Sequence, residues 1–155
     1  MEAAGRALRW IRHLCPARTP EPSVWAALAE LLDELDRHPH QAERMFPLAQ
    51  HLAVLGLGLL ADMGYALDFE RCVRCGKPCP PGRSAFIDAA GGGLVCMSCG
   101  GARRTIDADL RALAIRAQGR DPSIVLTSAQ ANELLTIVEE AMSAHTDFDP
   151  NARSG

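Results

Sequence analysis

Of the six cysteines in this chain, four fall into two close pairs, Cys72-Val73-Arg74-Cys75 and Cys96-Met97-Ser98-Cys99, with residues 76–95 between them. Two Cys-x-x-Cys pairs at such a separation can each occupy one edge of a metal tetrahedron, the geometry zinc prefers. If all four thiolates bind, no coordination position is left open, so one Zn²⁺ held by Cys72, Cys75, Cys96 and Cys99 is structural rather than catalytic. A rubredoxin-type iron site uses the same tetrahedral sulfur set and is the rival metal. Disulfides are the other use of six cysteines, but the close pairing and the lack of a secretion signal point to a reducing interior. Cys79 lies four residues after Cys75 and could substitute as a ligand, although the flanking Pro78 and Pro80 favour a spare, partly exposed thiol.

The residues around the pairs fit this chemistry. Gly76 and Gly100 each follow the second cysteine of a pair, where a positive φ lets backbone N–H groups turn toward sulfur. Ser84 to Asp88, a turn at Gly91-Gly92-Gly93, and Leu94-Val95 predict a short β-hairpin that returns the chain to the second pair, a zinc-ribbon layout. Positive charge gathers here. Arg71, Arg74, Lys77, Arg83, Arg103 and Arg104 stand against one acid, Asp88, a side-chain balance of +5. Zn²⁺ with four thiolates contributes −2, leaving about +3 locally. These six cations are candidates for contact with nucleic acid or an acidic partner. The plainer alternative is that they offset the negative charge of the site and bond to its sulfurs.

What must position the ribbon is helical. The 155 residues are 48% hydrophobic and 23% charged but only 5% aromatic, and a core of Leu, Ala and Val favours helices over sheets. A first helix has Ala7, Leu8, Ile11, Leu14 and Cys15 on one face and Arg6, Arg9 and Arg12 on another, the latter a solvated surface or a contact for phosphate. A second, capped by Ser23, runs to about Arg37 with Val24, Trp25, Leu28, Leu31, Leu32 and Leu35 as its buried stripe. Its acids Glu30, Asp33, Glu34 and Asp36 have no converging histidine and read as a solvated face. His38-Pro39-His40 is then a loop with poor metal-site spacing. The third helical region, 41–64, is apolar on nearly all sides and predicts the central helix, with Pro47 near a break or first turn, Gly56 and Gly58 allowing close approach, and His51 a bonded core or boundary residue. After the ribbon, Thr105 is a candidate cap for a helix through Ala117. Thr127 and Gln130 form a capping box for the last one.

The fold class is therefore mainly α: a helical bundle with an inserted four-Cys zinc ribbon containing a short β-hairpin. Residues 1–70 give the first part of the bundle, 71–103 the ribbon, 104–146 the closing helices and 147–155 a disordered tail. A formal charge of −3 offers no global attraction to nucleic acid or anionic membrane. The longest apolar run, Leu52 to Met63, carries Asp62 and falls short of the roughly 20 residues a spanning helix needs, so the chain reads as cytoplasmic. No phosphate loop, nucleophile elbow or nucleophile–base pairing indicates an enzyme. A thiol-redox role would need a βαβ context that the helical pattern does not offer.

The order of parts resembles the C-terminal part of the bacterial recombination mediators of the RecO family. The resemblance rests on a helical bundle, the phrase Gly64-Tyr65-Ala66-Leu67-Asp68-Phe69-Glu70-Arg71-Cys72, the ribbon with Phe86, the return Gly91-Gly92-Gly93-Leu94-Val95-Cys96, and closing helices. It implies a non-enzymatic role in DNA repair: single-stranded DNA binding, strand annealing and, with RecR, loading of RecA onto strands coated by single-strand binding protein, whose acidic tail the family contacts. It also implies metal ligation by Cys72, Cys75, Cys96 and Cys99. The family opens with an OB-fold barrel, a usual seat of single-strand binding. No residues for one precede Arg6, and the usual basic ending is missing, so the expectation is a fragment, a mis-assigned start or a stripped-down paralogue. Binding to single-stranded DNA should then be weak or need the barrel. The competing readings are a rubredoxin-like or thiol-redox metal module and a generic zinc-ribbon nucleic-acid binder.

Overall fold

A computed structural model describes residues 2–15, 22–37 and 45–149. In chain order these form α1 (Glu2–Leu14), α2 (Pro22–Arg37), α3 (Met45–Asp62), β1 (Asp68–Cys72), β2 (Ala85–Asp88), β3 (Gly93–Val95), β4 (Arg104–Ile106), α4 (Ala108–Gln118) and α5 (Ser128–His145). The pair His38 and His40, expected in a loop, lies outside the described residues.

α3 is central, as its apolar surface predicts: α1, α2, α4 and α5 all pack against it. Leu52, Leu55, Leu57, Leu59 and Leu60 are buried, so two neighbouring faces of the helix are covered at once. Gly56 makes the closest approach possible. A Cβ there would lie 2.6 Å from Val138 Cγ1 of α5 and 3.0 Å from the Trp10 ring of α1, so any side chain would push those helices apart. At Gly58 the space is taken by the Arg120 guanidinium, which pairs with Asp62. Pro47 falls in the first turn of α3, where the missing N–H costs no helical bond.

β2 and β3 form the expected antiparallel hairpin, with Phe86 opposite Val95 and Asp88 opposite Gly93. The sheet is larger than a hairpin. β1 adds in parallel to β3 and β4 antiparallel to β2, giving the order β1-β3-β2-β4. Its inner side chains, Phe69, Ala85, Ile87, Leu94 and Ile106, belong to the same apolar cluster as the helices. Two glutamines tie segments to the bundle. The Gln118 side-chain amide donates to the Leu67 carbonyl and accepts from the Leu67 N–H, both at 3.1 Å. Gln50 does the same for the α4–α5 loop, donating to Ile124 O and accepting from Leu126 N–H.

Several expectations need correction. Thr105 is no helix cap: it lies in β4, and Asp107 caps α4 by accepting from the Leu110 N–H at 2.7 Å. Ser23 lies inside α2, with its hydroxyl donating to Asp62. In α1 the buried stripe is Ala3, Ala7, Trp10, Ile11 and Leu14, while Leu8 is half exposed. Trp25 and Leu32 of α2 are exposed too, because only Val24, Leu28 and Leu31 turn fully to the core. The Thr127 capping box is present in full. Within the stretch expected to be a disordered tail, Phe148 is buried and meets the His13 ring edge-on.

Candidate metal centre

Each cysteine pair sits where the sheet ends in a tight turn. Cys72 closes β1, and the Gly76 N–H returns to the Cys72 carbonyl at 2.8 Å. Cys96 follows β3, and the N–H groups of Cys99 and Gly100 both return to the Cys96 carbonyl at 3.1 Å. Gly76 and Gly100 have φ of 70° and 59°, the left-handed conformation that lets the chain turn under the sulfurs. Because β1 and β3 are adjacent, the two turns are brought side by side.

The four Sγ atoms all lie within 4.8 Å of one another, and Cys75 Sγ is 3.7 Å from Cys96 Sγ. A tetrahedron with zinc–sulfur bonds of about 2.3 Å has edges of about 3.8 Å, so the donor set fits a tetrahedral dication. Among the described residues no other group of three or more Cys, His, Asp or Glu ligands converges. The backbone is arranged for anionic sulfur. The Cys96 N–H donates to Cys72 Sγ at 3.3 Å, and with the N–H groups of Arg74 and Cys75 it brings the Cys72 thiol down to about 6. Cys96 is lowered as well, first by the Cys99 N–H. Cys99 is pushed up to about 12 by the neighbouring Cys96 and Cys75 sulfurs. Negative charge that builds up on part of the cluster thus raises the cost of ionising the rest, and a bound cation removes that conflict. Among the described residues no disulfide joins any of the cysteines.

The six candidate cations divide into two groups. Arg74 is used within the ribbon, donating to the Gly100 carbonyl at 2.6 Å and pairing with Asp88, so it ties the first turn to the second. Arg104 pairs with Glu140 of α5 and joins sheet to bundle. Arg71, Lys77, Arg83 and Arg103 are exposed and form no ion pair among the described residues. Arg103 and Arg104 line one wall of a cleft of about 930 Å³ between the sheet and α5, with Asp88, Glu139 and Glu140 also around it.

Arg111 belongs to none of the motifs in the sequence. It is the one buried charged residue among those described, 4% exposed on α4. Its guanidinium donates to the carbonyls of Cys79, Pro80 and Arg83 and to Cys79 Sγ, holding the Pro-rich loop of the ribbon onto the bundle. The clue was its place next to Leu110 on the face that Ala114 and Ala117 bury. Cys79 is therefore a partner of this arginine, half-buried beside the core. Cys15 is also partly buried against the core. His51 is half-buried and borders a cavity of about 410 Å³ with Gln50 and Arg120.

The family model described as "Recombination protein O C terminal" matches residues 3–154. The chain belongs to the RecO family. Membership brings a RecO-type role in DNA repair and recombination, as a mediator rather than a known enzyme. No curated protein matches the chain significantly. No described helix of this RecO C-terminal region is long and apolar enough to cross a membrane.

Proposed function

We propose that this chain is the protein-contacting part of a RecO-type mediator, built on a helical bundle and a ribbon held by one structural Zn²⁺. The family match over residues 3–154 carries this reading. In it, Cys72, Cys75, Cys96 and Cys99 bind the ion, which joins two turns of the chain and offers no open position for catalysis. The partners are RecR and single-strand binding protein, and the exposed cations Arg71, Lys77, Arg83 and Arg103 supply the contact with an acidic segment or with phosphate. Arg74 and Arg104 support that surface from within, since their guanidinium groups are already engaged. Single-stranded DNA binds weakly to this region alone, because the exposed aromatics among the described residues, Trp25 and Tyr65, lie outside the ribbon that carries the cations.

Pull-down of the metal-loaded chain with RecR and with single-strand binding protein tests the partners. Capture of either, weakened by Arg71→Glu with Lys77→Glu, supports the proposal, and binding to neither by a folded sample sinks it. Metal analysis separates the competing readings. One zinc per chain fits a structural ribbon, whereas a red, iron-loaded sample identifies a rubredoxin-like module. Tight, steeply salt-dependent DNA binding by this chain alone identifies a nucleic-acid binder instead.

A further inference from the structure

The sheet has two edges, and the chain itself closes one of them. Along β1 the Cys79 N–H donates to the Glu70 carbonyl at 2.7 Å and the Cys72 N–H to the Lys77 carbonyl at 2.9 Å, with Arg71 bridged to Pro78. The other edge is β4, whose neighbour in the sheet is β2 alone. Where its backbone groups point follows from alternation along the strands. The Val73 N–H donates to the Leu94 carbonyl at 2.8 Å, so the N–H and C=O of Leu94 face β1, and those of Gly93 and Val95 face β2. Phe86 and Asp88, opposite Val95 and Gly93, then face β3, which leaves Ala85 and Ile87 to bond with β4. Their partners there are Ile106 and Arg104. The N–H and C=O of Thr105 are thus turned away from the sheet. Thr105 is exposed, and among the described residues no loop or helix end bonds to its backbone.

An open edge is a template for an added strand, and the charge around it selects which strand. Arg103 stands immediately before β4, exposed and without an ion pair among the described residues. Arg83 stands by the other end, because Ala85, two residues after it, lies opposite Ile106. It too is exposed and forms no ion pair among the described residues. The cleft of about 930 Å³ between the sheet and α5 opens at the Arg103 end, where β2 finishes and β4 begins. Its three carboxylates are each engaged by an arginine: Asp88 by Arg74, Glu139 by Arg6 and Glu140 by Arg104. The charge left over is that of Arg103. A strand carrying acids meets two unspent guanidinium groups, whereas a basic one meets repulsion at both ends. Ala90 and Ala102, which also line the cleft, offer contact to small apolar side chains.

We propose that β4 is a docking edge on which an extended acidic segment of a partner protein adds as a further strand, bonded to the Thr105 backbone and paired with Arg103 and Arg83. This rests on the reading of the exposed ribbon cations as a contact for an acidic segment, and it narrows that contact to two of them. Arg71 and Lys77 belong to the closed edge along β1. Recognition through the main chain needs no free chain end, so an internal segment of the partner serves as well as a terminal one.

Fluorescence anisotropy of a labelled, end-blocked peptide of alternating glutamate and valine, titrated with the metal-loaded full chain, tests it. The peptide should bind, and the same peptide with lysine for glutamate should not. Thr105→Pro should weaken binding about tenfold while metal content and helical signal match the parent, because proline at that position removes an N–H that β2 does not use. Methylating the backbone nitrogens of the peptide should weaken binding to the unaltered protein in the same way. Arg103→Glu with Arg83→Glu should turn the preference toward the lysine peptide. Binding that survives both Thr105→Pro and backbone methylation overturns the added strand. If that binding is instead lost with Arg71→Glu and Lys77→Glu, the acidic contact stands but lies at the other edge. No binding at near-millimolar chain overturns the docking edge, while the pull-downs with RecR and single-strand binding protein still decide the wider reading by themselves. Single-stranded oligothymidylate that displaces the peptide and is itself weakened by Thr105→Pro assigns the edge to nucleic acid and overturns the proposal.

Discussion

The ribbon and the helical bundle meet in one apolar cluster, yet they are held together by different forces. In the bundle, α3 is wrapped by four helices, and its side chains exclude water along most of its length. The turns at 72–76 and 96–100 have almost nothing to bury. Cys75 and Cys99 are exposed, Met97 is 74% exposed, and what fixes these turns is the cysteine cluster, a few backbone bonds and Arg74. The sheet lies between the two regimes, with one face in the common core and its ends in the knuckles. A short segment that cannot bury its own surface can be ordered by ligand bonds instead, and binding free energy then becomes folding free energy.

The largest effect should come from removing one ligand. Cys96→Ala breaks the tetrahedral set, where structural zinc in small domains is worth about 10–16 kcal/mol of apparent binding at neutral pH. Bound metal should fall to near zero, and amide exchange should become fast at 72–76 and 96–100 while α3 and α5 stay protected. Collapse of the helical signal as well would show that the shared cluster makes ribbon and bundle one cooperative unit. The converse change is Leu60→Ala, at a site with no exposure. It should cost about 2–5 kcal/mol in thermal or denaturant unfolding. Metal stoichiometry should remain at the wild-type value. Metal loss at temperatures where this variant is still folded would erase the distinction between the two regions.

The latch between them gives a smaller effect. Arg111→Ala leaves three carbonyls of the 79–83 loop without their donor, which should cost about 1–3 kcal/mol. Lysine should not restore it, because a single ammonium cannot present the guanidinium fork to acceptors on both sides. Limited proteolysis should cut first within 79–83. Cleavage elsewhere, with that loop still resistant, would mean that Pro78, Pro80 and Pro81 hold it without the arginine.

How far these parts could be read from the chain follows the same division. The knuckles were legible because cysteine spacing, glycine and turn residues are local signals, and the capping box before α5 was legible for the same reason. α3 stood out through its unbroken apolar surface. The strands β1 and β4 were not legible as strands. They are only five and three residues long, and their partners are supplied by the hairpin rather than by their own sequence. Thr105 looks like a cap because a threonine before Ile106 is the same signal whether a helix or a strand follows. Apolar periodicity located α1 and α2, but it could not tell a core-facing Trp10 from an outward Trp25. That depends on which neighbours the helix meets, as does the burial of Arg111.

The smallest expected effect belongs to the loop between α4 and α5, where the bundle relies on polar bonds as the knuckles do, but without a metal. Asp121 accepts from the Ser123 hydroxyl and backbone N–H and pairs with Arg116, and these bonds bring its carboxyl from 3.8 to about 2. A folded-state value below the unfolded one favours the folded chain above about pH 4, and the advantage is lost as pH falls toward 2. The carboxyl is partly exposed at the surface, so screening by water and salt keeps the effect small. Acid unfolding of Asp121→Asn should therefore show a shallower loss of stability across pH 4 to 2 than the parent, with no change at pH 7 in metal content. Identical acid limbs would place the acid sensitivity of the bundle elsewhere, with the Asp62–Arg120 pair next to α3 as the next group to test.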